Sequence, residues 1–226
     1  MPYFCACMLF LCFFVGWPCL RRLNRVMVPP MAIYKKPTLL MMAGHAGTGK
    51  TTFSRLFMAQ QAQAGRTWAF LDKDTIGGLF ASALMQMHTG DGFDRDSPVY
   101  SEKVRPLEYK ALSSVLRDNL MLGTSCISCA PYGTECNSRE AFEAYAESFS
   151  DVARTIVLWS HVSSQEAHVR ITARAHPMDK YKLDNWDAYV SRRHNPQWLH
   201  AHANAFWFES GTSEKTTAMR WLFANA

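Results

Sequence analysis

Short apolar runs alternate along the chain with longer stretches whose apolar positions recur near every third or fourth residue, a pattern that predicts strands separated by helices. Thr38 to Ala43 is a continuous apolar run opening after Pro37, and Phe53 to Gln63 is free of Gly and Pro, so a buried strand leads into a helix. Thr67 to Leu71 reads as the second strand and ends in Asp72-Lys73-Asp74; a short helix from Thr75 to about Met87 follows. His88 to Asp96 holds two glycines and three aspartates and reads as a mobile loop. Pro98 then opens a long helical pattern through Leu122, with Val104, Leu107, Leu112, Val115, Leu116 and Leu120 near the 3.6 period. Strands are predicted at 125–130, 155–159 and 205–209, and helices at 139–149, 164–175 and 184–193 and after Ser213. Alternation of this kind predicts an α/β three-layer sandwich with a five-stranded, mainly parallel sheet.

Between the first strand and the first helix stands Gly44-His45-Ala46-Gly47-Thr48-Gly49-Lys50-Thr51, which fits G-x-x-x-x-G-K-[ST] at every fixed position. The glycines let successive backbone N–H groups approach an anion, and the helix N-terminus adds a favourable dipole. Residues 44 to 52, Thr52 included, form the expected nucleotide cradle, with Lys50 reaching the β- and γ-phosphates and the Thr51 hydroxyl ligating Mg²⁺. The expected nucleotide is ATP, because no Asn-Lys-x-Asp guanine-reading motif occurs.

Charge changes the picture less than its total suggests. The chain has 226 residues, 48% of them hydrophobic, and a net charge of +5. Arg21, Arg22, Arg25, Lys35 and Lys36 all precede the first strand; without them 19 basic residues face 19 acids. The domain itself is neutral, so no nucleic-acid partner is expected. Four of the seven cysteines (Cys5, Cys7, Cys12, Cys19) lie near the N-terminus and three (Cys126, Cys129, Cys136) around one later strand, which is no disulfide framework. Cys126 and Cys129 have no second ligand pair at zinc spacing and read as buried strand thiols.

Residues 1–36 form an apolar, then basic, extension ahead of a domain spanning 37–226. Pro2 to Leu20 carries no charge, and Arg21, Arg22 and Arg25 follow it. A membrane anchor, a translation start at Met27 or Met31, and a soluble or cleaved extension are the open readings. The domain is expected in the cytoplasm, or tethered to the inner membrane on its cytoplasmic side.

Ligands of such folds gather at the carboxyl ends of the strands, so Asp72 and Asp74 are expected beside the γ-phosphate. A carboxylate there accepts the proton of an attacking hydroxyl or holds Mg²⁺; the alternative role is capping of the next helix. Arg170 and Arg174 share a helix face and are followed by His176, Asp179, Lys180 and Lys182, either a cationic flap over the phosphates or a solvated charged face.

The P-loop, Asp72-Lys73-Asp74-Thr75-Ile76, Arg105-Pro106-x-Glu108-Tyr109, Ala130-Pro131-Tyr132, and Arg170-x-x-x-Arg174 with Asp179, Lys182-Leu183 and Trp186 resemble, in this order, the predicted-kinase group of P-loop ATPases. That AAA-type group is similar to zeta toxins, chloramphenicol phosphotransferase, gluconate kinase and the kinase part of polynucleotide kinase. The resemblance implies ATP-dependent phosphorylation of a hydroxyl, with Asp74 as general base, Asp72 as auxiliary and Mg²⁺ ligand beside Thr51, Lys50 on the phosphates, and Arg170 and Arg174 as lid arginines. Two departures stand out. Relatives that take anionic substrates carry an Arg three residues after the base, where this chain has Gly77, and many have an Asp near the third strand's end, where it has Cys129. The expected substrate is therefore a small, uncharged hydroxyl compound. The alternatives are a nucleoside or polynucleotide acceptor, or an ATP-driven switch that phosphorylates nothing.

Overall fold

The computed structural model describes residues 36–211 and 213–226, so the N-terminal anchor and start-site readings lie outside the described residues. Residues 36–226 make one compact unit. Its centre is β1 (Thr38–Ala43), in which every residue is buried. Leu39, Met41 and Ala43 face one side and Leu40 and Met42 the other, as the two-residue period of a strand requires.

Around β1 stand β2 (Ala69–Asp72), β3 (Cys126–Cys129), β4 (Arg154–His161) and β5 (Ala205–Glu209), in the order β2-β3-β1-β4-β5 and all parallel. The expected mainly parallel sheet is wholly parallel. Helices α1 (Lys50–Gln63) and α8 (Glu214–Asn225) cover the Leu40 face through Phe53, Phe57, Ala218 and Leu222. Helices α3 (Arg105–Met121) and α4 (Arg139–Glu147) cover the Leu39 face through Leu112, Leu116, Leu120 and Phe142. Each crossover returns the chain to the same end of the sheet, so the loops after β1, β2 and β3 open on one edge.

Three predicted segments differ in instructive ways. Helix α2 (Lys73–Thr89) begins two residues before Thr75, because the Asp72 side chain caps it by accepting the Asp74 N–H at 2.9 Å. The long helix expected from Pro98 is interrupted by a π-helical turn at Tyr100–Val104 before α3 begins. Pro106 has no N–H to donate and its ring crowds the preceding turn, so the ladder cannot run through it unbroken. Of the helix expected at 184–193, α7 (Trp186–Ser191) forms, and a break at Asn185, with φ −122° and ψ 43°, separates it from α6 (Lys180–Asp184).

The segment 88–96, expected to be mobile, carries a set of side-chain-to-backbone hydrogen bonds. Asp91 accepts the Phe93 N–H, Asp94 accepts those of Asp96 and Ser97, and Gln86 accepts that of Gly92. Its aspartates cap turns of the backbone. Cys126, Cys129 and Cys136 are buried, and burial pushes the first two thiols up to about 12. Among the described residues no helix is long and apolar enough to cross a membrane.

Candidate active site

A cleft of about 790 Å³ opens over the carboxyl end of β1, β2 and β3. Its floor is the loop between β1 and α1. Gly44, with φ +130°, passes so close to β4 that a Cβ would lie 2.2 Å from the Ser160 carbonyl oxygen; only glycine fits. The Ser160 hydroxyl donates to the Thr48 carbonyl at 2.7 Å, and the Thr48 hydroxyl to the His45 carbonyl at 3.0 Å. Gly44 and Thr48 thus shape the loop from behind, whereas His45, Ala46, Gly47, Gly49, Lys50, Thr51 and Thr52 line the cleft. Helix α1 starts from Gly49 with no capping side chain and no acid in its first turn. Its first N–H groups and the positive end of its dipole are therefore available to an anion.

Lys50 Nζ donates to the His45 carbonyl at 2.8 Å, inside the loop. Burial draws its pKa below the usual lysine range, and Cys129, Asp74 and Asp72 pull the other way. The Thr51 hydroxyl lies 3.4 Å from Asp72 Oδ2 and 3.7 Å from Cys129 Sγ. Two oxygen ligands at that separation suit adjacent positions on a small, octahedral Mg²⁺, with phosphate oxygens and water supplying the rest. Among the described residues there is no cluster of three or more His, Cys, Asp or Glu that would form an all-protein metal cage.

Asp72 caps α2 with one oxygen, the alternative role raised by the sequence, and turns the other to Thr51. Asp74 projects into the cleft with its side chain 66% exposed and pairs with Lys73 Nζ at 2.8 Å. Burial would raise its pKa, but Lys73 first, then Lys50 and Arg95, hold the carboxyl below the usual range. It is an ionised acceptor at neutral pH.

On the other flank, α5 (Ser164–Arg174) sits directly on the loop, with Ala167 and Ile171 against Gly47. Its N-cap is Ser163, which accepts the Glu166 N–H at 3.1 Å. Arg170 donates to Glu166 at 2.7 Å, to the Gly47 carbonyl at 3.3 Å and to the Ser210 carbonyl at 3.1 Å, joining the loop to the end of β5. Arg174 makes a two-pronged pair with buried Asp179, at 2.5 and 2.6 Å. Lys182 donates to the same Asp179 at 3.1 Å. Both arginines border the cleft, and both are already held by protein partners.

Comparison with known proteins bears on family and fold. Residues 39–196 match the family model described as an AAA domain. The chain belongs to that AAA-domain family. No curated protein matches it. Among solved structures it is similar to a provisionally named kinase from Chloroflexus aurantiacus j-10-fl, at 18% identity and TM-score 0.58, covering 85% of this chain and 100% of that one. It is also similar to the Mycobacterium tuberculosis APS kinase CysC, solved with AMPPNP and APS, at 15% identity and TM-score 0.53, covering 84% and 96%. A third likeness, to APE1195, has 14% identity and TM-score 0.51 over 85% and 95%. At these identities the likeness is one of fold alone, the α/β fold of P-loop proteins.

Several residues at and behind the cleft of this AAA-domain chain have roles that the sequence did not assign. Lys73, 3% exposed, donates to Glu108 Oε2 at 2.8 Å and Tyr100 Oη at 3.0 Å, and the Tyr100 hydroxyl donates to Glu108 at 2.6 Å. The Arg-Pro-x-Glu-Tyr motif thus supplies Glu108 as the anchor of Lys73, while Tyr109 accepts the Tyr132 N–H at 3.0 Å and fixes the loop after β3. His45 Nε2 lies 2.8 Å from the His194 carbonyl oxygen and 3.1 Å from its N–H. Burial lowers the His45 pKa to about 3, so the ring is neutral. Tyr189 Oη accepts the Ala46 N–H at 3.1 Å. His45 stood in the glycine-rich loop pattern, and Lys73, Glu108, Tyr109 and Tyr132 in the quoted motifs, without these roles; no local pattern marked Tyr100, Tyr189 or His194.

Proposed function

We propose that this protein transfers the γ-phosphoryl group of ATP to a hydroxyl of a small molecule. The observation that carries this reading is the convergence of Lys50, Thr51, Asp72 and Asp74 on one cleft. The acceptor oxygen attacks the γ-phosphorus, the bond to the β-phosphate oxygen breaks, and Asp74 takes the hydroxyl proton as ADP leaves. Lys50 and the first N–H groups of α1 neutralise charge on the β,γ-oxygens. Thr51 and Asp72 would hold Mg²⁺, which neutralises the phosphates and orients the γ-group when bound. Arg170, anchored on the loop, fixes the cradle, and Arg174 lies at its border.

The cleft's volume is within the range of small-molecule sites. A test uses γ-labelled ATP with pooled hydroxylated metabolites and antibiotics. Label incorporated into one pool and traced to an ester supports the reading. Label released only as inorganic phosphate, at one rate with every pool, replaces it with an ATP-hydrolysing switch.

A further inference from the structure

We infer that the acceptor carries an anionic group, carboxylate or phosphate, and that Arg95 and Arg105 bind it. The inference rests on the phosphotransfer reading for its placement of the acceptor. With the loop following β1 and the base following β2, the acceptor belongs on the flank formed by α2, α3 and the loop after β3. The nucleotide's remainder lies toward β4 and β5, where α5 packs.

The cleft is not neutral like the domain around it: eight basic and four acidic side chains line it. Most of the cations have carboxylate partners. Lys73 pairs with Asp74 and Glu108, Lys182 with Asp179 and Asp96, Arg174 with Asp179, Arg192 with Asp96, and Arg170 with Glu166. Among the described residues Lys50, Arg95 and Arg105 line the cleft without an ion pair, and Lys50 belongs to the phosphate loop. Two part-buried guanidinium groups that form no ion pair remain, both on the acceptor flank.

Each is held in place before any ligand arrives. Arg95 donates to the Gly78 carbonyl at 2.9 Å, Ser82 Oγ at 2.8 Å and the Asp94 carbonyl at 3.2 Å, and its guanidinium lies 5.4 Å from the centre of the Tyr100 ring. Its Nε is buried without a partner. Arg105 lies 5.5 Å from the centre of the Tyr109 ring, beside Gly133 of the loop after β3. The acid whose charge reaches Arg105 is Glu135, which forms no ion pair with it. A planar guanidinium held at a cleft wall matches the two oxygens of a carboxylate or phosphate.

The uncharged-acceptor expectation rested on Gly77. Gly77 faces α3, where a Cβ would sit 2.8 Å from Glu108 Cγ, so that position has no room for an arginine. Arg95 and Arg105 reach the same flank from a loop and from the start of α3.

The test fills the loop first, by saturating the full-length protein with Mg²⁺ and a non-hydrolysable ATP analogue, and then titrates sodium sulfate at constant ionic strength by calorimetry. Wild type should bind one sulfate saturably, with affinity reduced at least tenfold in R95Q and in R105Q and unchanged in R154Q, whose arginine bonds Asn204 away from the cleft. R105Q breaks none of the loop's bonds, so an unaltered melting temperature in that variant keeps the result interpretable if R95Q loosens the fold. A parallel assay offers hydroxycarboxylates and their amides as phosphate acceptors. Preference for the acids supports the inference. Absence of saturable sulfate binding, sulfate binding indifferent to both variants, or preference for the amides overturns it and leaves the phosphotransfer reading standing. Arginine-dependent sulfate binding with no acceptor of either charge phosphorylated keeps the anion site and removes the phosphotransfer reading.

Discussion

Lys73 and Asp74, neighbours in sequence, form a 2.8 Å ion pair in which the ammonium is 4% exposed and the carboxylate 66%. The cation is locked in the fold and the anion is presented to the cleft. Lys73 thus positions Asp74 from behind, and is itself fixed by Glu108 and Tyr100.

Removing Lys73 leaves Glu108 as an uncompensated buried charge. K73M should therefore cost about 3–5 kcal/mol of stability, and K73M/E108L should recover most of that loss. Urea denaturation of the three proteins measures both. In the double variant the pKa of Asp74 should rise, which a shifted acid limb in the rate profile would reveal; an unmoved limb would reduce Lys73 to a structural role.

The pH dependence follows from two depressed pKa values. Asp74 is held below its ordinary 3.8, so its ionised form, and the stability its ion pair contributes, persist above that value and are lost as pH falls through the folded pKa. Turnover should show no carboxylate limb between about pH 5 and 8. His45 is lowered from 6.5 to about 3, so the unfolded chain binds a proton that the folded chain refuses. Stability should fall by about 2 kcal/mol between pH 7 and pH 5 on this account alone. H45Q should lose that part of the slope, as urea curves at both pH values would show.

Gly77 is a packing position. G77A should destabilise the protein by about 1–3 kcal/mol through its approach to Glu108, read as a lowered urea midpoint. A neutral or stabilising result would mean that α2 and α3 yield easily there.

Much of the fold was legible because its signals are local. Thr38–Ala43 is apolar on both faces, as a central parallel strand must be, and the glycine spacing from Gly44 to Gly49 announces the cradle on its own. Asp72 and Asp74 could be placed because a strand end next to that cradle is where ligands gather. The supporting charges were not legible. Lys73 stands between two aspartates with no local sign of its role, and its partners Tyr100 and Glu108 are 27 and 35 residues away. Arg95 sits in a segment whose Gly and Asp content suggested mobility, while those same aspartates bond the backbone into fixed turns. Pairings across such distances appear only once α2 and α3 are packed together.

The account stands or falls most directly on a comparison of wild type with D74N, in ATP-analogue binding and in labelled-phosphate transfer to the best acceptor pool. Loss of transfer by about a hundredfold or more, with analogue affinity within about threefold, is the predicted result. Equal transfer by the two proteins would contradict the assignment of Asp74 as the base.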